Sequence, residues 1–139
     1  MGKKHTQAPL RALIFDTDIT VWMLRRYGPA LRFAEGIEPA QRSISAISHI
    51  ELLYGCRDRK ELSDLQELLS TWFAAVIPVT PAVTRSAEGL MERFALSRRP
   101  DLADVLIAAA ALDLNEPVVS CNRKHFDFIP GLELRIFRP

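Results

Sequence analysis

Short apolar runs alternate along the chain with longer stretches in which apolar residues recur at helical spacing. The short runs predict strands near residues 11–16, 43–47, 76–79, 118–121 and 132–137. The longer stretches predict helices near residues 18–27, 30–36, 48–56, 59–75, 81–96 and 101–115. Strands that alternate with helices predict an α/β fold with three layers, α/β/α, around a central, mostly parallel sheet of four to five strands.

Capping residues predict where several of these helices begin. Ser48 and Glu51 match a capping box, with Ser48 as the N-cap and Glu51 at the third helical position. Asp18 is expected to cap the helix after the first strand, and Asp101 the helix after the basic linker. Pro81 fits the first position of another helix, where its missing N–H has no cost.

Four polar residues lie at the ends of apolar runs: Asp16, Glu51, Asp104 and Asn122. A carboxylate at the edge of a buried run is costly unless a partner neutralises it. In open α/β sheets, sites form beyond the carboxyl ends of the strands, and one fold can bring all four residues to that edge. Gathered carboxylates repel each other and hold hard cations well, so the pattern predicts metal-dependent phosphodiester chemistry.

The four residues have different expected roles. Asp16 and Asp104 are expected to ligate Mg²⁺ or Mn²⁺, Glu51 to ligate it directly or through water, and Asn122 to support the site by hydrogen bonding. Each also has an ordinary alternative. Glu51 fits a capping box, Asp104 lies in a first turn favoured by the helix dipole, and Asn122 is a common turn former. Asp16 has the weakest alternative, and the joint placement of the four favours a site.

Charge and composition limit the substrates and the number of domains. The 139 residues fit one domain, expected over residues 11–139 after a polar, flexible leader at residues 1–10. The formal net charge of +1 gives no global basic field, so affinity for a nucleic acid must come from local patches or a partner chain. The basic pairs Arg98-Arg99 and Arg123-Lys124 flank the predicted site in sequence and are candidate contacts for RNA phosphates.

The cysteines and histidines are expected to have ordinary roles. Cys56 and Cys121 do not make a disulfide framework, which favours a reduced, cytoplasmic setting with both thiols in the core. No carboxylate is spaced to make a triad with His49 or His125, so both are expected to face solvent or to pack. No apolar stretch reaches the roughly 18–20 residues that a membrane span needs.

Four motifs, in order, make the chain resemble the PIN-domain ribonucleases of the VapC toxin type. The resemblance covers nearly everything from residue 12 to 137. The matching segments are Asp16-Thr17-Asp18-Ile19, Glu51-Leu52-Leu53-Tyr54-Gly55, Asp104-Val105-Leu106-Ile107-Ala108-Ala109, and Ser120-Cys121-Asn122 followed by Phe126 and Pro130-Gly131-Leu132.

The resemblance implies an activity and a set of partners. It implies a PIN-like nuclease domain that is an Mg²⁺- or Mn²⁺-dependent endoribonuclease, for which single-stranded or looped RNA is the expected substrate. It implies a homodimer, a cognate antitoxin that wraps the toxin and blocks its site in a heterotetramer or a larger complex, and contact with operator DNA only through the antitoxin.

The resemblance also assigns residues. Asp16, Glu51 and Asp104 match the acidic triad of the family, and Asn122 matches a fourth position that varies between Asp and Asn. His125 stands where the family often has Asp. Because Asn122 and His125 are both uncharged, a one-metal site, or a second ion recruited by the RNA phosphate, is expected.

Two alternatives remain at this stage. Asp16-Thr17-Asp18-Ile19-Thr20 also fits the Asp-x-Asp-x-Thr signature of haloacid-dehalogenase-like phosphatases, with Asp16 as nucleophile and Asp18 as general acid. The chain lacks the downstream lysine and the Gly-Asp pair that those enzymes need. The other alternative is a non-catalytic interaction module of a toxin–antitoxin complex, against which the intact triad argues.

Overall fold

A computed structural model describes residues 11–139, and the predicted leader at residues 1–10 lies outside the described part. Five strands form one sheet in the order β3-β2-β1-β4-β5, and every neighbouring pair is parallel. The strands are β1 (Leu13–Phe15), β2 (Arg42–Ser45), β3 (Ala75–Ile77), β4 (Val118–Ser120) and β5 (Leu134–Ile136). Each has only three or four residues, and the predicted α/β fold with a parallel sheet is confirmed.

Six α-helices connect and cover the strands of the described chain. They are α1 (Thr17–Leu24), α2 (Gly28–Glu35), α3 (Ala46–Tyr54), α4 (Arg59–Trp72), α5 (Pro81–Phe94) and α6 (Leu102–Leu114). Two 3₁₀ turns add Pro39–Gln41 and Arg123–His125. Within residues 11–139, none of the helices combines the length and the apolar character needed to cross a bilayer.

The starts of two helices differ from the prediction. Asp16, not Asp18, is the N-cap of α1, and its side chain accepts from Thr17 N. Helix α3 begins at Ala46 because strand β2 ends at Ser45, whose side chain caps the helix by accepting from Ile47 N. The prediction of a capping box at Ser48 and Glu51 is therefore wrong.

Two other predicted starts are confirmed in position. Pro81 opens α5 behind the capping side chain of Thr80. Asp101 is at the N-cap position of α6, but its side chain makes no capping hydrogen bond. Asn115 ends α6 in the left-handed conformation, which asparagine tolerates better than most residues.

The core consists of two apolar clusters, one on each face of the sheet. Leu13 and Phe15 of β1 point into the cluster with α1, whereas Ile14 points into the cluster with α6. Helix α6 buries a run of small side chains, Ala108 to Ala111, so it packs closely on its neighbours. Burial on both faces explains why the central strands β1 and β4 read as continuous apolar runs rather than alternating ones.

The sheet also buries one arginine at the edge where strand β2 begins. The Arg42 side chain donates to the carbonyl oxygens of Ala34 at 2.9 Å and Ile37 at 3.0 Å, and it reaches that of Trp72 at 3.4 Å. Its guanidinium carbon lies 5.0 Å from the centroid of the Trp72 ring. Arg42 thus joins the end of α2 to the end of α4 beneath the sheet.

Candidate active site

Asp16 lies at the carboxyl edge of the sheet, directly after β1. Strand β1 is central, so the ends of β2 and β4 flank it. The Asp16 carboxylate is only 3% exposed, and both of its oxygens have hydrogen bonds. One oxygen, Oδ1, accepts from Thr17 N at 2.7 Å, and Oδ2 accepts from Ser120 Oγ at 2.9 Å.

Ser120, at the end of β4, links Asp16 to a second carboxylate. Its hydroxyl also lies 3.3 Å from Asp18 Oδ2, and Asp18 Oδ1 accepts from the backbone N–H groups of Ile19 and Cys121. Asp18 therefore belongs to the carboxyl edge rather than to a helix cap. Ser120 was not among the residues predicted for the site, although its hydroxyl contacts two of the acids.

Asn122 contributes less than expected. Its backbone N–H donates to Ser120 Oγ at 2.9 Å, and the residue is exposed. The hydrogen bond that supports the site therefore comes from the backbone of Asn122 rather than from its amide side chain.

Asp104 approaches the same edge from the first turn of α6. The residue is 8% exposed, and its Oδ2 lies 3.1 Å from His125 Nδ1. His125 faces solvent as expected, but it also contacts a carboxylate that was not predicted as its partner. The fold brings the turn after β4 onto the start of α6, which the separation of the two residues in sequence did not indicate.

Glu51 reaches the site from the second turn of α3. Thr17 Oγ1 donates to Glu51 Oε1 at 2.8 Å and lies 3.0 Å from Ser48 Oγ. Since the helix begins at Ala46, Glu51 does not close a capping box. Helix capping therefore does not explain the presence of Glu51 at this position. Thr17, which lies between Asp16 and Asp18 in the sequence, thus holds the Glu51 side chain toward the carboxyl edge.

The carboxylates at this edge are electrostatically unsatisfied. Burial, then the charge of Asp18 and that of Asp104, raise the pKa of Asp16 from 3.8 to about 8, against the opposing hydrogen bonds. Burial also raises the pKa of Asp104 to about 6, although His125 opposes the shift. A divalent cation would stabilise the ionised forms that this environment disfavours.

The side chains of the described residues do not supply a complete set of ligands for such a cation. Within residues 11–139, no group of three or more His, Cys, Asp or Glu side chains is arranged to hold a metal ion. Asp16 and Asp104 nevertheless suit Mg²⁺, because that ion is often bound through one or two carboxylates and keeps several waters. The residues present fit a hydrated cation rather than one enclosed by protein ligands.

Three of the four predicted phosphate contacts line one cavity beside Asp104. Arg98, Arg99 and Lys124 lie around it together with His125. Arg123, in the same turn as Lys124, is not part of that lining. The cysteines are half-buried and free, and burial raises the pKa of the Cys121 thiol to about 12, so it stays protonated.

Comparison with known proteins gives a family and close relatives. The PIN domain family matches residues 13–131. The chain is 33% identical over 125 residues to Ribonuclease VapC19 of Mycobacterium tuberculosis, a match that covers 86% of this chain and 96% of that protein.

Solved structures share the fold at lower identity. VapBC2 from Rickettsia felis, bound to a DNA fragment from its promoter, matches with a TM-score of 0.79 and 24% identity, over 91% of this chain and 98% of that one. A toxin–antitoxin complex from Klebsiella pneumoniae matches with a TM-score of 0.72 and 24% identity, over 87% and 95% of the two chains.

Proposed function

The chain belongs to the PIN-domain family, and from that premise we propose that it is a metal-dependent endoribonuclease, the toxin of a toxin–antitoxin pair. The observation that carries the proposal is the buried, uncompensated Asp16, with Asp104 beside it at the carboxyl edge. Asp16 also caps α1, but a serine or threonine could make that cap without burying a charge. A site that gathers carboxylates at a cost in stability is typical of a functional site.

The proposed cofactor is Mg²⁺ or Mn²⁺. Asp16 and Asp104 would hold it, with Glu51 as a direct or water-mediated ligand. When bound, the ion supplies a more acidic water and neutralises the charge that develops on the phosphodiester. Asn122 and His125 add no negative charge, which favours one protein-held ion over two.

The remaining groups orient these acids. Thr17 N and Ser120 Oγ fix the two oxygens of Asp16, and Thr17 Oγ1 holds Glu51. His125 Nδ1 faces Oδ2 of Asp104 and leaves the other oxygen of that carboxylate for a ligand. In this arrangement Glu51 would align the attacking water, and Asp16 and Asp104 would stay fixed while the phosphate passes through its transition state.

The proposed partners are a cognate antitoxin, the RNA substrate and a second copy of the chain. The structural relatives include complexes described as toxin–antitoxin and as VapBC bound to DNA. They support an antitoxin as the protein that would cover the site, in a heterotetramer or a larger complex, and as the part that would bind operator DNA. Such a pair would act in the cytoplasm.

Cleavage of RNA with and without divalent cations tests the activity. We expect cleavage with Mg²⁺ or Mn²⁺ and none in excess EDTA; activity that persisted in excess chelator would overturn the metal mechanism. A phosphomonoester assayed in parallel tests the phosphatase alternative, which the family match already disfavours. We expect no hydrolysis of it.

Asp104→Asn tests the role of the carboxylate, with Asp113→Asn as the matched control on the exposed side of the same helix. Loss of a residue that hydrogen-bonds to a metal ligand typically lowers metal affinity or activity by about 10–100-fold. Loss of a ligand itself should therefore lower kcat/KM by about 100-fold or more. Asp113→Asn should cleave at the parent rate. An Asp104→Asn variant that cleaved RNA as fast as the control would show that Asp104 is not a ligand of the catalytic cation. A variant that lost cleavage but stayed as toxic as the parent would favour the interaction-module alternative.

A further inference from the structure

A basic cavity opens beside Asp104, between the α5–α6 linker and the turn after β4. Its volume is about 260 Å³. Its lining residues are Arg98, Arg99, Pro100, Asp101, Asp104, Lys124, His125 and Phe128. The cations thus come from two segments more than twenty residues apart in sequence, whereas the basic clusters of a solvated surface are usually neighbours along one segment.

The cations of the basic cavity are not used in ion pairs within the described chain. The ion pairs among residues 11–139 engage Arg11, Arg57, Lys60 and His125. Arg98, Arg99 and Lys124 therefore keep their charges available beside two carboxylates, Asp101 and Asp104. The start of α6, where the Asp101 side chain makes no capping bond, adds the positive end of a helix dipole.

Arg98 is exposed, but its guanidinium lies against an aromatic side chain. Its guanidinium carbon lies 5.5 Å from the centroid of the Phe128 ring, and Phe128 packs edge-on against Phe94 at 5.1 Å. The carbonyl of Phe94 accepts from the backbone N–H groups of both Arg98 and Arg99. Arg99 has a left-handed backbone, with φ 46°, which turns the chain at the mouth of the cavity.

These contacts lower the entropic cost of ordering an arginine when a ligand binds. A guanidinium can donate two hydrogen bonds to two oxygens of one phosphate. Asp104 forms one wall of the basic cavity and is also a proposed ligand of the catalytic cation. A phosphate bound there would consequently lie next to the reacting phosphodiester. An RNA strand carries such a second phosphate on the adjacent nucleotide.

We infer that the basic cavity is a subsite for the phosphate adjacent to the scissile one on a single-stranded RNA, and that Arg98 and Lys124 bind that phosphate. The inference rests on the proposed ribonuclease function and adds to it the position of the strand. The RNA would run from the carboxyl edge, past Asp104, toward the α5–α6 linker.

The test compares two arginine variants in the Asp16→Asn background, which blocks cleavage without altering the lining of the basic cavity. Arg98→Met removes one charge but keeps an apolar contact on Phe128. The matched control is Arg93→Met. Arg93 is exposed on the last turn of α5, and its guanidinium also stacks on a phenylalanine, Phe94, at 5.0 Å, outside the basic cavity.

The measurement is the affinity for a labelled single-stranded RNA by fluorescence anisotropy over a range of salt concentrations. Each phosphate contact on a single strand contributes about 0.7 to the slope of log K against log salt. We expect Arg98→Met to reduce the magnitude of the slope by about 0.7 and to weaken binding several-fold at low salt. Arg93→Met should change neither.

A second variant, Lys124→Met, makes the result independent of the packing of Arg98, since Lys124 reaches the basic cavity from the other segment. It should lower the slope by a similar amount. Equal slopes for Arg98→Met, Lys124→Met and Arg93→Met would overturn the subsite, and so would an absence of RNA binding in every protein.

The two proposals fail in distinguishable ways. If the unmutated protein cleaves RNA but Arg98→Met and Lys124→Met bind like Arg93→Met, the subsite is wrong and the ribonuclease function stands. If the slopes change as expected but the unmutated protein does not cleave RNA with any divalent cation, the chain binds RNA at the basic cavity and the proposed activity is wrong.

Discussion

The two edges of the parallel sheet each bury a charged side chain and treat it in opposite ways. At the edge where the strands begin, Arg42 is 6% exposed, and its guanidinium group is matched by backbone carbonyls and an indole ring. At the edge where the strands end, Asp16 is equally buried but faces two further carboxylates, Asp18 and Asp104. One charge is neutralised by the fold, and the other is not.

The difference shows which charge serves the fold. The carbonyls that receive Arg42 lie at and just beyond the end of α2, where the helix dipole is negative, so a cation is favoured there without any ligand. Asp16 sits at the N-terminus of α1, which also favours its charge, yet its pKa is still raised. Burial and the neighbouring carboxylates therefore outweigh the helix, and the proposed cation would supply the missing positive charge.

The largest expected effect is the pH dependence of stability without divalent cations. Because the pKa of Asp16 is about 8 in the folded protein and 3.8 ordinarily, folding binds a proton between these values. The contribution of Asp16 is then fully present below about pH 4 and is lost as the pH rises to about 8. Its slope is at most about 1.4 kcal/mol per pH unit.

Urea denaturation of the parent and of Asp16→Asn, in EDTA across pH 4–9, isolates this contribution. The difference in unfolding free energy should shift in favour of Asp16→Asn as the pH rises. Mg²⁺ at pH 8 should stabilise the parent more than the variant. A difference that did not depend on pH would mean that Asp16 is neutralised as well as Arg42 is.

Arg42→Met tests the opposite edge. The variant removes the donor of the Ile37 carbonyl, whereas the Ala34 carbonyl still accepts from the backbone N–H of Ile37. Loss of a buried hydrogen-bond partner costs about 1–3 kcal/mol, so we expect destabilisation by about 2 kcal/mol at every pH. Arg135→Met, on an exposed position of β5, should stay within about 0.5 kcal/mol. A loss for Arg42→Met as small as that of Arg135→Met would remove the contrast between the edges.

Ser120→Ala has the smallest expected effect and sharpens the comparison. The hydroxyl of Ser120 lowers the pKa of Asp16, so its removal should raise that pKa further. We expect a loss of about 1 kcal/mol at pH 8 and less at pH 4, measured by the same urea titrations. Ser120→Thr keeps the hydroxyl and should behave like the parent. A loss of the same size at both pH values would show that the hydroxyl does not act through Asp16.

Most elements of the fold could be predicted from the sequence, because apolar runs and helical periodicity are local signals. Helix starts were less accurate. Ser45 and Ser48 lie three residues apart, and the capping-box pattern predicts Ser48 as the N-cap because Glu51 follows it by three residues. The pairing of Ser45 with Ile77 across the sheet decides where β2 ends, and that pairing is not visible in the sequence around Ser48.

The acids of the site were predictable in part. Asp16, Glu51 and Asp104 each end or interrupt an apolar run, so the topology that gathers them could be anticipated. The partners that hold them could not. Ser120 reaches Asp16 across 104 residues, and His125 reaches Asp104 only because α6 packs beside the turn after β4. Spacing along the chain carries no signal for contacts of that range.

The short strands of the sheet connect the site to the core in a further way. At about 3.3 Å per residue, a strand of three residues is about 10 Å long, so no backbone amide of Leu13–Phe15 is far from Asp16. The strand that carries the acid is also the centre of both apolar clusters. We therefore expect an opening that frees Asp16 to open the core as well, and a ligand at the site to slow hydrogen exchange at the amides of β1.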